Sequence, residues 1–172
     1  VPFNEGWGQF QTENIVALIK KYDPSRLVDN ASGWTDRKVG DVMDVHNYPL
    51  PACPPAEEKR AIVNADIGGL GFPVRDHTWE KQNWGYQTFE DTVKLLATYS
   101  TFYDMGYKYV LQKCLRAVIY TQTTDVEVEV NGLMTYDREM VKMDLKKVAA
   151  ANRGHFPPGA KATQAAPTGS AK

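Results

Sequence analysis

A strong net charge, clustered cysteines and long apolar runs are all missing from this sequence, and each absence removes a class of function. The 20 Lys and Arg nearly balance the 21 Asp and Glu, for a net charge of -1. No basic cluster is dense enough to follow a phosphate backbone, so nucleic acid is not an expected partner. No apolar run approaches the roughly 20 residues that cross a bilayer, so no membrane partner is expected either. No stretch reads as a signal peptide, which leaves any upstream segment and the compartment open. Cys53 and Cys114 stand far apart and match no metal or redox spacing, so they are expected as unpaired thiols. The three histidines, His46, His77 and His155, show no ligand spacing. No metal and no other cofactor is therefore expected.

What is present reads as one domain. At 172 residues and 42% hydrophobic, the chain can bury one sizeable core. Short β-like runs alternate with helical ones. The β-like runs are the tail Val1–Phe3, then "RLVDNASGW", "DVMDVHNYP", "AIVNADIGGLG" and "RAVIYTQTTD", each beginning apolar and ending in residues able to do chemistry. "TENIVALIKKY" puts Ile15, Val16, Ile19 and Tyr22 on one helical face before Asp23-Pro24. "TFEDTVKLLATYSTFYDMG" has a capping-box pattern at Thr88 and Asp91, a face of Val93, Leu96, Tyr99 and Tyr103, and a stop at Gly106. A last helix is expected from Asp137 to Ala151. Residues 153–172, rich in Pro, Gly, Ala and Lys, read as a disordered tail.

This alternation predicts an α/β fold with a parallel sheet and polar residues at the carboxyl ends of its strands. Four whole strands and the end of a fifth are too few for a (β/α)8 barrel, which takes about 250 residues. The expectation is a partial (β/α)8 TIM barrel, its second half, occupying residues 1–152.

The motifs "PFNEGWGQ", "DPSRLVDNASGW", "GDVMDVHNYP", "GGLG", "HTW" and "YTQTTDVEVEVNGLMTYDR" follow one another in order. In that order and spacing the chain resembles the carboxy-terminal catalytic barrel of glycoside hydrolase family 2, the β-galactosidase and β-glucuronidase family, over roughly residues 1 to 150. The resemblance implies a span from the end of strand four through helix eight. It also implies that β-sandwich domains and the first barrel strands precede Val1, and that a homodimer could complete the barrel. Some members of that family are exported. It implies hydrolysis of terminal β-glycosidic bonds, with Glu5 as general acid/base and Asn4 binding the sugar 2-hydroxyl. Retaining hydrolysis needs a second carboxylate about 5–5.5 Å from the first.

For that second carboxylate the family pattern carries a glutamate, whereas "VNADIGGLG" offers Asp66, one methylene shorter. Three readings stay open: a weak retaining nucleophile, a base in an inverting site, or a dead site that still binds sugar. A structural carboxylate hydrogen-bonded at the strand end is the plainer reading. By the resemblance Tyr48 hydrogen-bonds the nucleophile and His46 contacts a sugar hydroxyl. Trp34, Trp79 and Trp84 offer flat faces on which a pyranose ring could stack, although core packing is the commoner use of tryptophan. Tyr120 and Gln122 are candidate hydroxyl contacts. Glu127, one of three acids at period two with Asp125 and Glu129, is the reserve second carboxylate, against the plainer reading of a solvated acidic edge. The glycines of "GGLG" lack the spacing of a phosphate loop and fit a tight turn. A carbohydrate is the expected partner, and a non-catalytic carbohydrate-binding remnant is the alternative function.

Overall fold

A computed structural model describes residues 1–112 and 114–155. Helix α1 spans Thr12–Tyr22, followed by strands β1 (Val42–His46), β2 (Ala61–Gly68), β3 (Leu70–Gly71) and β4 (Gln87–Thr88), helix α2 (Thr92–Leu111), strand β5 (Ala117–Thr121) and helix α3 (Leu145–Asn152). β1, β2 and β5 form a three-stranded parallel sheet with β2 in the middle, and β3 pairs with β4 in a second parallel sheet.

The barrel expectation is corrected here. Two short parallel sheets and three helices among the described residues are not a (β/α)8 barrel. The parallel α/β character is as expected, but two of the five anticipated strands do not form. Val1–Phe3 and the run after Arg26 meet their neighbours only at single bridges, Asn4 with Ser32 and Asp29 with Val42. The reason lies in side chains that take up the backbone and polar groups of this run. The Asp41 carboxylate accepts the Val28 N–H at 2.7 Å and the Lys20 ammonium at 2.8 Å, and the Asn30 amide donates to Val39 O and Asp36 Oδ1.

The helices follow the sequence with local shifts. α1 buries Val16 and half-buries Ile15 and Ile19, but Tyr22 is exposed. α2 is capped by Asp91, whose carboxylate accepts the Val93 N–H, and Val93 itself is exposed. Its buried face is Leu95, Tyr99 and Phe102, with Leu96 and Tyr103 packed beside it. α2 also runs through Gly106, because that glycine serves packing and not termination. A Cβ there would stand 2.7 Å from Val118 Cγ2, so only glycine lets β5 lie this close. The last helix begins at Leu145, capped by Asp144, eight residues later than the sequence pattern implies. Of the anticipated tail, Arg153 to His155 close the turn that follows α3, and 156–172 lie outside the described residues.

Ile67, Leu70, Phe89, Leu95, Tyr99, Phe102, Met143, Val148 and Ala151 make one apolar cluster between β2, α2 and α3. The Tyr99 hydroxyl donates to Asn152 at 2.8 Å and ties the two helices together. Cys53 and Cys114, expected as thiols, form a disulfide that links the loop after β1 to the turn before β5. Closing a loop of 61 residues is worth on the order of 4 kcal/mol in chain entropy. No helix among the described residues is long and apolar enough to cross a membrane.

The segment after β5 is anchored by a buried ion pair. Lys142 donates to both oxygens of Asp125, at 2.5 and 2.7 Å, and to Val130 O, with both side chains almost fully buried. Burial pushes the Asp125 carboxyl up and the Lys142 amine down, each against the pull of its partner. Lys142→Met strands a buried carboxylate and is expected to cost about 3–5 kcal/mol. Urea unfolding measures this, and a loss below about 1 kcal/mol would show that the pair does not anchor the segment.

Candidate functional site

The site begins with an irregularity in β2. Val45 pairs with Asn64 and His46 with Asp66, so the register shifts and Ala65 is the extra residue of a bulge. Buried polar side chains complete the ladder that the bulge interrupts. Asp44 Oδ1 accepts the Ala65 N–H at 2.9 Å. The Asn64 amide, fully buried, donates to Val45 O and Asp66 O, and its oxygen accepts the Ala52 N–H. Bulges re-aim side chains. Here Asp66 is brought to the end of β1 beside His46, with 30% of its side chain exposed.

Glu5 approaches from the other side. Its backbone is left-handed, with φ of 53°, a conformation that side-chain-bearing residues rarely adopt, and its N–H is bound by Ser32 O at 2.5 Å. The carboxylate lies 3.0 Å from His46 Nδ1, and Asp66 Oδ2 lies 3.3 Å from the same nitrogen. One oxygen of Glu5, one of Asp66 and the His46 nitrogen all fall within 4.8 Å of one another. Asp66 is further held by the Tyr48 hydroxyl at 2.9 Å and the Thr121 hydroxyl at 2.8 Å.

His46 is placed differently from the sugar contact implied by the resemblance. Its side chain is 2% exposed and both ring nitrogens face protein groups, Nε2 lying 2.7 Å from Ser32 Oγ. The ring rests on Gly33, where φ is 100° and a Cβ would come within 2.9 Å of it. Ser32 in turn donates to Asp44 Oδ2 at 2.8 Å, and the Asp29 carboxyl lies beside Asp44.

Aromatic side chains flank the carboxylates. Trp34, about half exposed, meets His46 edge to face, with centroids 6.1 Å apart. On the other side Tyr48 stacks on Tyr86 at 4.2 Å, and Trp84 meets Tyr86 at 4.6 Å. Tyr86 lies close against Gly69, where a Cβ would come within 2.3 Å of its ring. Burial, with the Asp66 carboxylate beside it, pushes the Tyr48 phenol well above its ordinary range. Burial and then the charges of Glu5, Glu129 and Asp66 do the same to Tyr86, which places that ring in the field of all three acids.

The remaining sequence candidates divide. Asn4 is exposed beside Glu5, bridged through its backbone to Ser32. The Gln122 amide binds Glu129 and Asn131. Tyr120 is largely buried in contact with Tyr99, and its hydroxyl donates to Asn131 O, so it belongs to the packing and not to a sugar contact. Glu127 is exposed at the tip of the Val126–Glu129 turn and is not among the side-chain hydrogen-bond partners of Glu5 or Asp66, namely His46, Tyr48 and Thr121, which leaves the reserve role without support. Trp79 is exposed and packs on Tyr136, beside the His77–Asp137 pair. Sequence reading missed Ser32, Asp44, Asp29, Tyr86 and Thr121. The alternation Asp44-x-His46 held a signal, because residues two apart on a strand share a face.

Two groups could hold a cation by distance, Glu5 with His46 and Asp66, and His77 with Asp137 and Glu139. In each the histidine Nδ1 already meets a carboxylate, at 3.0 Å from Glu5 and 2.7 Å from Asp137. A metal would have to displace the proton held there, so these residues fit hydrogen bonding better than coordination. Comparison with protein-family models finds no match, and comparison with curated proteins finds none.

Behind the site Asp29 has a buried Oδ1 that meets no donor. Burial and the adjacent Asp44 charge, opposed by the Val1 amino terminus and the Ala31 backbone, push its carboxyl up to about 6. A folded-state value raised above 3.8 contributes stability that is complete below about pH 4 and is lost as pH rises through about 6. Asp29→Asn keeps a donor toward Asp44 without the charge. Above pH 6 the variant is expected to be more stable than the parent by about 1–2 kcal/mol, discounted for partial exposure, with the difference vanishing below about pH 4. Melts across this range check it, and a difference independent of pH would refute the protonated acid.

Proposed function

We propose that the chain carries the site of a glycoside hydrolase that cleaves terminal β-glycosidic bonds with two carboxylates. The observation that carries this reading is the placement of Glu5 and Asp66, whose oxygens stand within 4.8 Å of each other across His46. Retaining enzymes keep their carboxyl groups about 5–5.5 Å apart, and inverting enzymes leave about 6.5–9.5 Å for a water. The spacing favours retention, with Glu5 as acid/base and Asp66 as nucleophile. Tyr48 and Thr121 supply two hydroxyl donors that hold the Asp66 carboxylate in place. Trp34 on one side and the Tyr86–Trp84 pair on the other offer flat apolar faces for the sugar ring. The order of sequence motifs supports the same chemistry and implies a galactose-like or glucuronic-acid-like terminal sugar.

The chemistry follows from these positions. Glu5 donates its proton to the leaving oxygen as an Asp66 oxygen bonds to the anomeric carbon. A water then gives a proton to Glu5 and bonds to that carbon, while the bond from the carbon to the Asp66 oxygen breaks and frees the carboxylate.

A panel of aryl β-glycosides given to the purified chain tests the reading. Turnover is expected on at least one sugar, reduced on the order of 10³-fold or more in Asp66→Asn and Glu5→Gln. NMR of the first-formed product should show retained anomeric configuration. An inverted product would remove Asp66 as nucleophile, and sugar binding without turnover by the folded chain would leave the carbohydrate-binding reading in its place.

A further inference from the structure

Behind the two carboxylates lies a second line of polar groups that the hydrolysis scheme does not use. It runs from Asp29 to Asp44, then Ser32, then His46, and ends between Glu5 and Asp66. Asp44 and His46 have side chains 1% and 2% exposed, so water does not complete their hydrogen bonds. Every proton in the line must then be assigned from the geometry.

Asp44 receives two hydrogen bonds, from the Ala65 N–H on one oxygen and the Ser32 hydroxyl on the other. Donors on both oxygens of a side chain closed to water mark it as a carboxylate. Asp29, whose buried Oδ1 meets no donor, is the neighbouring acid that takes a proton as pH falls. With its single proton given to Asp44, Ser32 presents a lone pair to His46 Nε2, which must be N–H to bond it. Nδ1 faces only carboxylate oxygens and must be N–H as well. Both ring nitrogens are donors, which is the imidazolium.

We propose that Ser32 and Asp44 are positioning residues that hold His46 as a fixed cation between Glu5 and Asp66, its Nδ1–H serving each carboxylate in turn. The groups facing His46 are Glu5, Asp66 and Asp44, with the Trp34 edge and the Ser32 hydroxyl. Those facing Asp29 are Asp44, the Val1 amino terminus and the Ala31 backbone. No Lys or Arg forms an ion pair with Glu5, Asp66 or Asp44 among the described residues, so the imidazolium is the cation of the site. The alternating role rests on the two-carboxylate reading. Before attack Asp66 is the anion and Glu5 holds its proton, so the Nδ1–H bonds Asp66. Once Glu5 has given its proton to the leaving oxygen and Asp66 is esterified, Glu5 is the anion, 3.0 Å from the same N–H. The hydrogen bond changes partner and no proton leaves the ring. The developing charge on Glu5 thus meets a donor already in place.

The charge assignment is read directly by nitrogen NMR of the His46 ring in the full chain at pH 7. Both nitrogens are expected in the protonated range in the parent and in Asp29→Asn. In Asp44→Asn the new amide donates to Ser32, the hydroxyl turns to Nε2, and the ring is expected as the neutral Nδ1–H tautomer. A neutral ring in the parent, or a ring still doubly protonated in Asp44→Asn, overturns the proposal. Should Asp44→Asn fail to fold, Ser32→Ala is expected to lose the Nε2 proton and Ser32→Thr to retain it, and equal behaviour of the two overturns it equally. On a sugar that turns over, Ser32→Ala is expected to lower kcat on the order of tenfold with KM held and to displace the pH profile, both restored in Ser32→Thr. An unmoved pH profile overturns the catalytic role. Absence of turnover on every sugar with His46 doubly protonated removes the alternating role and upholds the charge assignment.

Discussion

The Asp44 carboxylate is the constraint on which the site depends, because it works in two directions at once. Its Oδ1 takes the N–H of Ala65, the residue that the bulge in the middle strand leaves without a ladder partner. Its Oδ2 takes the Ser32 hydroxyl, which backs the His46 ring. A bulge without that acceptor would leave a buried N–H unpaired, at a cost of about 1–3 kcal/mol. The strand would then favour regular pairing, which moves Asp66 along its partner. The position of Asp66 and the orientation of His46 are therefore not independent. They are set by the two oxygens of one buried carboxylate.

Electrostatics explains why so many acids tolerate one another here. Glu5, Asp66 and Asp44 crowd around a single imidazole, with Asp29 beside Asp44, and like charges this close oppose ionisation. Each acid has a distinct relief. Asp66 takes two hydroxyl donors, Asp44 takes a backbone N–H and the serine, and Asp29, partly buried beside Asp44, holds a proton up to about pH 6. Glu5 and Asp66 are partly open to solvent, at 29% and 30% of their side chains, whereas the Asp44 side chain behind them is 1% exposed. Solvent therefore reaches the front pair, while Asp44 bonds only to protein groups. The ring of aromatic side chains lowers the local polarity and strengthens every contact within it.

Much of this was legible in the sequence, and what was not has a physical cause. Helix α1 and strands β1, β2 and β5 follow directly from apolar periodicity and from Asp23-Pro24 and Gly68-Gly69 as punctuation. The run after Arg26 reads as a strand by the same rule but forms only single bridges. The Asp41 carboxylate, thirteen residues away, takes the Val28 N–H, and such tertiary hydrogen bonds leave no local signature. Gly106 reads as a helix stop, since nothing local announces that β5 will press against it. The disulfide was missed because 61 residues separate two cysteines that β2 brings together. Glu5, Asp66, His46 and Tyr48 were visible as strand-end polar residues. Ser32, which orients His46, sits in a stretch where short polar residues are the usual furniture of turns.

The aspartate at position 66 looks like a loss when read as a sequence, because one methylene withdraws a carboxylate by about 1.5 Å. In the fold the backbone makes up the difference. The bulge sets Asp66 opposite His46 where regular pairing would have put Ala65, and the left-handed turn at Glu5 carries the opposing carboxylate inward. One oxygen of each carboxylate then falls within 4.8 Å of the other. A longer side chain at 66 would drive its oxygens toward Glu5 and away from the Tyr48 and Thr121 hydroxyls, which are already at hydrogen-bonding distance. Side-chain length and backbone geometry are matched to each other here. The shorter residue is the one this strand can use.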